Sequence, residues 1–325
     1  MLKRAKRRGG SVEAVVQVLE SRVLLAAKVI VAPASYEFRD MGFDPATQEV
    51  GIVGYEGTGT IGVTKIAKLF ELNGTQDGFT AQTLVGLGPG TQVFGISSDA
   101  YRIAGVSKSP GSIQSGEATT WVRSSPANPE GVGYVSWTVK TSGAYAAWHD
   151  GIVGDSGGGA VAMKWSVLTG VEGLHELGFG ANYLNEVSAD GEISVGISAH
   201  ENSNGAAYYW DSTGIHRLPD TFPGSAFIVQ SLASSISPNG DFIGGYVFED
   251  NGVEEDGFVH PAVWDQNQVL ALLKDSQGNP FQGRVLDVSN HGYAVGETRD
   301  GRGFIWHPSF DGIQSPFTGA QHFED

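Results

Sequence analysis

The chain has no cysteine among its 325 residues, so disulfides and thiolate metal sites are excluded. It also lacks any stretch that approaches the roughly 20 apolar residues of a membrane-spanning helix. Positive charge is scarce, because 20 Lys and Arg residues face 36 Asp and Glu residues, for a formal net charge of −16. An acidic surface repels phosphate backbones. We therefore expect neither a transmembrane span nor a nucleic-acid partner.

Glycine is abundant: 47 residues of the chain, about twice the average share. The glycines follow no Gly-X-Y period and separate short runs of β-branched and apolar residues. This pattern predicts many tight turns between strands, and hence an all-β protein. The apolar fraction of 40% is sufficient for a packed core.

The first 27 residues differ in composition from the rest. A basic cluster at residues 3–8 precedes apolar residues at helical spacing between Val15 and Leu24. A Sec signal peptide needs a continuous apolar run, and charged residues break up the run here. We predict a helical or disordered, export-related leader over residues 1–27 and a single domain over residues 28–325.

The leader ends in the sequence LESRVLLAA, residues 19–27. This segment resembles the LEPR-XLL segment near the N-terminus of large surface proteins of some bacteria, although Ser21 stands where that motif has proline. The resemblance implies a secreted or cell-surface location in a bacterium.

A glycine that follows a short apolar run recurs with a period of about 48 residues. An Asp-, Asn- or Gly-rich turn precedes each of these aligned glycines, and an aromatic residue follows it. The glycines are Gly54, Gly105, Gly154, Gly196, Gly245 and Gly296, and the aromatic residues are Phe70, Trp121, Trp165, Trp210, Trp264 and Trp306.

Each repeat accommodates four short strands, which is typical of a propeller blade. The sequence thus predicts a six-bladed β-propeller of four-stranded antiparallel blades, in which the aligned glycine ends the second strand. The run KVIVA, residues 28–32, is expected to add an edge strand that closes the ring.

The fifth and sixth repeats carry ISPNGDFIGGY and VSNHGYAVGETRDGRGFIW. They resemble the HAF-type extracellular repeat, which runs Ile-Asn-x-x-Gly-x-x-Val-Gly-Tyr followed by His-Ala-Phe-x-Trp. Repeats four to six match it well, and repeats one to three are degenerate. The resemblance implies a propeller outside the cell and assigns no chemistry.

The string Gly-Asp-Ser-Gly-Gly, residues 154–158, resembles the nucleophile segment of chymotrypsin-like proteases. An intervening strand would separate Ser156 from His149 by up to about 23 Å, whereas a nucleophile and its base must lie within about 3.2 Å. In the repeat the two residues fall on opposite rims. We predict a glycine-rich turn here and no catalytic residue.

The recurring tryptophans are predicted to pack between blades. Trp148 breaks the repeat at a turn, which makes it a candidate for a surface binding role. The loop after Gly245 is a second candidate because it is strongly acidic. Carboxylates suit Ca²⁺, but the EF-hand spacing is absent, and the alternative is a solvated charged loop. Its acidic residues are Glu249, Asp250, Glu254, Glu255 and Asp256.

Asp40, Glu186 and Asp287 occupy one position of the repeat, shortly before the turn that follows the first strand. First strands line the channel of a propeller, so these three carboxylates are candidate ligands for a shared Ca²⁺, as in calcium-dependent lactonase-like propellers.

Two functions remain open at this stage. The first is a non-catalytic extracellular or cell-surface propeller, without a cofactor and monomeric, that serves as a binding or interaction scaffold for a protein or a polysaccharide. The alternative is a Ca²⁺-assisted hydrolase or lyase that acts on sugars or lactones through the channel carboxylates.

Overall fold

The all-β expectation is confirmed: every helix or strand that the computed structural model describes is a β-strand. The structure describes residues 12–16, 28–32, 36–44, 49–56, 66–72, 79–84, 91–107, 117–122, 132–134, 142–156, 161–174, 182–199, 205–220, 228–249, 258–265, 270–274, 279 and 281–307. Within these ranges, no helix is long and apolar enough to cross a membrane.

Most of the strands form six successive antiparallel sheets, which we number I to VI. Sheet I contains β3 (Tyr36–Asp44), β4 (Glu49–Glu56), β5 (Ile66–Leu72) and β6 (Phe79–Thr83). Sheet II contains β7 (Gln92–Ile96), β8 (Arg102–Ser107), β9 (Glu117–Val122) and β10 (Val132–Tyr134). Sheet III contains β11 (Ser142–Trp148), β12 (Gly151–Ser156), β13 (Val161–Ser166) and β14 (Gly170–Leu174).

The second half of the chain repeats the arrangement. Sheet IV contains β15 (Asn182–Val187), β16 (Ser194–Ser198), β17 (Ala206–Asp211) and β18 (Gly214–Arg217). Sheet V contains β19 (Ile228–Ile236), β20 (Phe242–Glu249), β21 (Phe258–Asp265) and β22 (Leu270–Leu272), and the described strands of sheet VI are β23 (Gly283–Val288), β24 (Ala294–Thr298) and β25 (Gly303–Trp306). In each sheet the strands lie in chain order.

The N-terminal strands differ from the expectation for the leader. β1 (Val12–Val16) pairs antiparallel with β2 (Lys28–Ala32), and the helix predicted over this part of the leader is wrong. β-branched residues lose rotamer freedom in a helix and favour a strand, and both segments are rich in valine. β2 has β1 as its described partner rather than a strand of sheets I to VI. Residues 1–11 and 17–27 lie outside the described part of the chain.

The first strand of every sheet contains a β-bulge, directly before the repeat position that Asp40, Glu186 and Asp287 occupy. The aligned glycine of the second strand pairs with the residue before this bulge. Gly154, for example, pairs with Ala144, and a Cβ added to it would collide with the carbonyl oxygen of Gly143. The backbones approach so closely at the bulge that only glycine fits.

The second strands continue past these glycines, so the expectation that the glycine ends the strand is wrong. β12 continues through Asp155 to Ser156. The glycine therefore marks the bulge in the neighbouring strand rather than a turn.

The aromatic residue of each repeat pairs with the residue two positions before the aligned glycine. Trp121 pairs with Ile103 and Trp264 pairs with Ile243. The same register holds in the other four sheets. The sequence repeat is thus a repeat of strand register.

The core consists of apolar clusters, each of which lies between two consecutive sheets. One cluster joins Val53 and Tyr55 of sheet I to Val93 and Trp121 of sheet II. Four similar clusters join sheets II and III, III and IV, IV and V, and V and VI. Burial between stacked sheets, rather than in one central core, is the way in which repeat proteins bury apolar surface.

The turns between first and second strands also link each sheet to the next. In sheets II, IV, V and VI the turn begins with a serine, and an Asp, Asn or His and then a residue with positive φ follow. Hydrogen bonds join the consecutive sheets at this rim: Phe43 N to Ser98 O, Arg102 Nε to His149 O, Lys164 Nζ to Gly191 O, Ala189 N to Pro238 O, and Asn239 N to Asn290 Oδ1.

Candidate functional site

The three carboxylates at the shared repeat position stabilise the bulges. Asp40 Oδ1 accepts a hydrogen bond from Met41 N at 2.6 Å, and Asp287 Oδ1 accepts one from Val288 N at 2.9 Å. Glu186 Oε1 likewise lies 3.2 Å from the N–H of the residue that follows it. Each carboxylate thus binds the backbone N–H next to its own bulge.

Asp40 also reaches the next sheet, where its Oδ2 accepts a hydrogen bond from Ile96 N at 2.9 Å. Sheet II has Gly95 at the position of the carboxylate, so Asp40 of sheet I supplies the acceptor that sheet II lacks.

These carboxylates do not form a metal site. Among the described residues, no three His, Asp or Glu side chains lie close enough together to hold a metal ion. The described residues thus give no support to the prediction that Asp40, Glu186 and Asp287 converge on Ca²⁺, because each carboxylate binds the backbone N–H beside its own bulge.

Ser156 and His149 lie at opposite ends of β12, as the repeat predicts. Backbone pairing places Ser156 opposite Ser142 and Val161, whereas His149 lies in the turn before Gly151. The strand between them is extended and excludes a nucleophile–base pair.

His149 instead contacts sheet II. Its Nδ1 lies 2.6 Å from Asp99 Oδ2, and its ring stacks on Tyr101 with centroids 4.3 Å apart. The imidazole is about half exposed at 54%. Arg102 donates to the carbonyl of His149 and lies over Trp165, and burial lowers the pKa of this guanidinium. These contacts join the turns of sheets II and III.

Trp148 is buried, with 4% of its surface exposed, so the proposed surface role is wrong. Lys164 Nζ lies 5.2 Å from the centre of its ring, and a side chain at Gly191 would collide with the indole. The turn of sheet III lacks the Ser-x-Asp/Asn-Gly pattern, and the indole fills the space beside the turn of sheet IV.

The recurring tryptophans are core residues, as predicted. Trp121, Trp210, Trp264 and Trp306 are buried, and Trp165 is half-buried beneath Arg102. The side chain of Phe70 lies outside the described part of the chain.

The acidic loop after Gly245 is described only at its first residue. Glu249 Oε2 lies 2.9 Å from His260 Nε2, and both side chains are largely buried. Asp250, Glu254, Glu255 and Asp256 lie outside the described residues, so their role as a binding loop stays a prediction.

The structure also reveals a set of half-buried side chains that the sequence analysis missed. The residue inside each bulge is half-buried, and in sheets II, III, V and VI both of its neighbours in the strand are buried. The first strands of successive sheets contact one another from I to VI. We name these residues the bulge row: Arg39, Phe94, Tyr145, Asn185, Ser234 and Leu286.

Part of the bulge row is committed to contacts between sheets. Asn185 Nδ2 donates to Ala233 O at 2.9 Å, and Ser234 Oγ donates to Val285 O at 2.7 Å. Arg39 lies over the ring of Tyr55 at 5.2 Å. Asn185 and Ser234 thus fix one sheet against the next, whereas Arg39 contacts a ring of its own sheet.

Two other members of the bulge row, Phe94 and Tyr145, form a surface together with Gln92 and Tyr183, which lie two residues before a bulge. We name these four residues the aromatic patch. Phe94 contacts Tyr145 edge-on, with centroids 5.5 Å apart. Gln92 lies two residues before Phe94 on β7, and Tyr183 is close enough to Tyr145 to influence its ionisation. All four side chains are half-buried.

A buried carboxylate supports this patch. Asp155 is 3% exposed and accepts a hydrogen bond from the Tyr145 hydroxyl. Burial raises the pKa of Tyr145 above its usual range, and the hydrogen bond and the negative charge of Asp155 act in the same direction. The hydroxyl of Tyr145 is therefore bound to a buried side chain of its own sheet.

No protein-family model matches the chain, and no curated protein sequence matches it. The chain is similar in structure to the β-propeller domain of the Trilobed protease from Pyrococcus furiosus, with a TM-score of 0.51 and 10% identity over 87% of this chain and 84% of that one. At this identity, the likeness shows the fold alone: the protein has a propeller-like fold of antiparallel sheets.

Other solved structures are less similar. TolB from Acinetobacter baumannii has a TM-score of 0.47 and 14% identity over 78% of this chain, and this chain spans 60% of that protein's length. The Trypanosoma rangeli sialidase in complex with the inhibitor DANA has a TM-score of 0.40 and 10% identity over 92% of this chain and 58% of that one.

Proposed function

We propose that the protein is a non-catalytic, six-bladed β-propeller that binds a partner or a polymer outside the bacterial cell. The observation that carries this proposal is the aromatic patch: four half-buried side chains from three neighbouring sheets form one surface, and a buried carboxylate holds the central ring. Rigid scaffolds commonly present binding residues in this way.

The repetition of the sheets supports six blades. Each of sheets I to VI has the same bulge, the same glycine and the same aromatic register, and each packs against its successor. Stacking in one direction brings sheet VI back towards sheet I in a closed propeller. The strand of residues 28–32 is not needed for this proposal, because it pairs with β1.

The absence of catalysis is supported by the contacts of the candidate residues. The carboxylates of Asp40, Glu186 and Asp287 bind backbone N–H groups, and Ser156 lies far along the strand from His149. A Ca²⁺-assisted hydrolase or lyase that uses those three carboxylates is not supported.

The extracellular location is proposed from the sequence. It rests on the basic leader and on the likeness to an extracellular repeat, and it is tested by fractionation of the host cells with an antibody to the protein. Light scattering of the purified chain tests the proposal that it is a monomer.

Binding is tested with immobilised matrices: cellulose, xylan, curdlan, pectin and a panel of peptides. We expect the purified protein to be retained by at least one matrix and the Phe94→Ala variant to be eluted earlier. Leu168→Ala is the matched control, because Leu168 is 88% exposed on the β13–β14 turn, away from the patch. Equal retention of both variants, or breakdown of the matrix, contradicts the proposal.

A further inference from the structure

The aromatic patch offers two polar groups and two ring surfaces to a ligand. Within the described part of the chain, neither the amide of Gln92 nor the hydroxyl of Tyr183 has a hydrogen-bond partner, and both side chains are half-buried. In the order of the sheets, the ring of Tyr145 lies between Gln92 of sheet II and Tyr183 of sheet IV, and Phe94 of sheet II contacts that ring. The patch thus combines an apolar centre with hydrogen-bonding groups on either side.

The hydroxyl end of the central ring, Tyr145, packs closely on Gly143. The residue at this position of the repeat is Gln92 in sheet II and Tyr183 in sheet IV, whereas sheet III has glycine there. A Cβ on Gly143 would lie 3.0 Å from the hydroxyl of Tyr145 and 3.2 Å from Asp155 Oδ1. A side chain at position 143 would therefore displace the Tyr145 ring, and the glycine lets that ring pack beside Asp155.

The charges around the patch disfavour an anionic ligand. Asp155 accepts a hydrogen bond from the hydroxyl of Tyr145, and the chain as a whole has a formal charge of −16. An anion would be repelled by both, and no Lys or Arg belongs to the patch. A ligand with many hydroxyl groups and no charge avoids this repulsion.

We propose that the aromatic patch binds a neutral oligosaccharide segment, an inference that rests on the binding function proposed above. The apolar C–H face of a pyranose ring packs on Phe94 and Tyr145, as apolar ligand surfaces do on aromatic side chains. Gln92 and Tyr183 form hydrogen bonds with hydroxyl groups at the two ends of the segment. No bond of the sugar is broken.

Isothermal titration calorimetry with defined sugars tests the proposal. The probes are cellohexaose, xylohexaose and laminarihexaose as neutral ligands and hexagalacturonate as the anionic one. We expect at least one neutral hexasaccharide to bind and hexagalacturonate not to bind. Phe94→Ala should weaken binding by about tenfold, the effect of losing one aromatic contact.

Tyr183→Phe keeps the ring and removes only the hydroxyl, so it tests the hydrogen bond in a variant that folds. We expect it to bind about fivefold more weakly, in proportion to one lost neutral hydrogen bond. Leu168→Ala should bind like the native chain. Thermal melts of all variants show whether the fold is retained.

The outcomes separate this inference from the proposed function. If hexagalacturonate is the only sugar that binds, the assignment of a neutral sugar is overturned and the binding function stays intact. The same holds if no sugar binds but a peptide matrix retains the protein and the Phe94→Ala variant is eluted earlier. Sugar binding that neither Phe94→Ala nor Tyr183→Phe weakens overturns the patch as the site. If chromatography shows that the protein shortens the hexasaccharide, the non-catalytic function is overturned and the ligand class stays intact.

Discussion

Asp40 of sheet I accepts a hydrogen bond from the backbone N–H of Ile96 in sheet II, with 2.9 Å between Oδ2 and N. The same carboxylate binds Met41 N with its other oxygen. One side chain therefore satisfies the backbone of two sheets, and a residue that resembles a metal ligand in the sequence is a structural link between blades.

Replacement of Asp40 tests this link. Asp40→Ala leaves two buried N–H groups without an acceptor, and we expect the free energy of unfolding to fall by about 2 to 4 kcal/mol. Urea denaturation measures the change. Glu172→Ala, at an exposed position of β14, is the control and should stay within about 0.5 kcal/mol. An equal effect of the two substitutions would show that Asp40 makes no such link.

The bulge explains the repeated glycine and predicts how much stability is lost when that glycine is replaced. Gly154→Ala places a Cβ against the carbonyl of Gly143, and we expect a loss of about 3 kcal/mol from the resulting shift of the backbone. Gly170 has a φ of +73° and nothing within 4 Å of an added Cβ, so Gly170→Ala should cost only about 1 kcal/mol. The midpoints of urea unfolding distinguish the two, and the opposite order is incompatible with the bulge.

Trp210 lies in the core cluster between sheets III and IV and is 6% exposed. Trp210→Ala should reduce the free energy of unfolding by about 3 to 5 kcal/mol, the range for loss of a buried aromatic side chain. The exposed Leu168 again provides the control. A loss below about 1 kcal/mol would mean that the sheets do not pack on this ring.

Calcium should not stabilise the described fold. A thermal melt with millimolar Ca²⁺ is expected to coincide with one in EDTA, because the candidate carboxylates bind backbone N–H groups. A ligand of the native state alone adds about 2.7 kcal/mol at a hundredfold excess over its Kd. An upward shift of this size would reveal a calcium site elsewhere in the chain, with the acidic loop after Glu249 as the first segment to mutate.

Alkaline pH should destabilise the protein through Tyr145. Because burial raises the pKa of this phenol in the folded state, the native protein holds its proton at pH values where the unfolded chain, with a pKa of about 10, has lost it. The stabilisation is complete below about pH 10 and is lost as pH rises towards the folded pKa. Tyr145→Phe should lose less stability than the native chain between pH 9 and about 11 in urea titrations. Parallel curves for the two proteins would exclude Tyr145 as the source.

The sequence predicted the sheets better than it predicted the site. Gly154 and Trp165 recur because bulges and sheet packing demand them, so their period reveals the blades. Trp148 and Asp40 misled the prediction, since burial between two sheets depends on the neighbouring blade rather than on the local pattern. Phe94 and Tyr145 were missed for a related reason: each lies in a β-bulge, which interrupts the alternation of side chains, and the position of a bulge emerges only from the pairing of two strands.

The chain order of the strands within every sheet has a consequence for biosynthesis. Each sheet is complete once its own segment has left the ribosome, and it needs only the preceding sheet to cover its apolar face. The protein can therefore assemble from its N-terminal sheet onwards while translation continues. Strands that are close in sequence pair first, and few strand pairings join segments that are far apart in the chain.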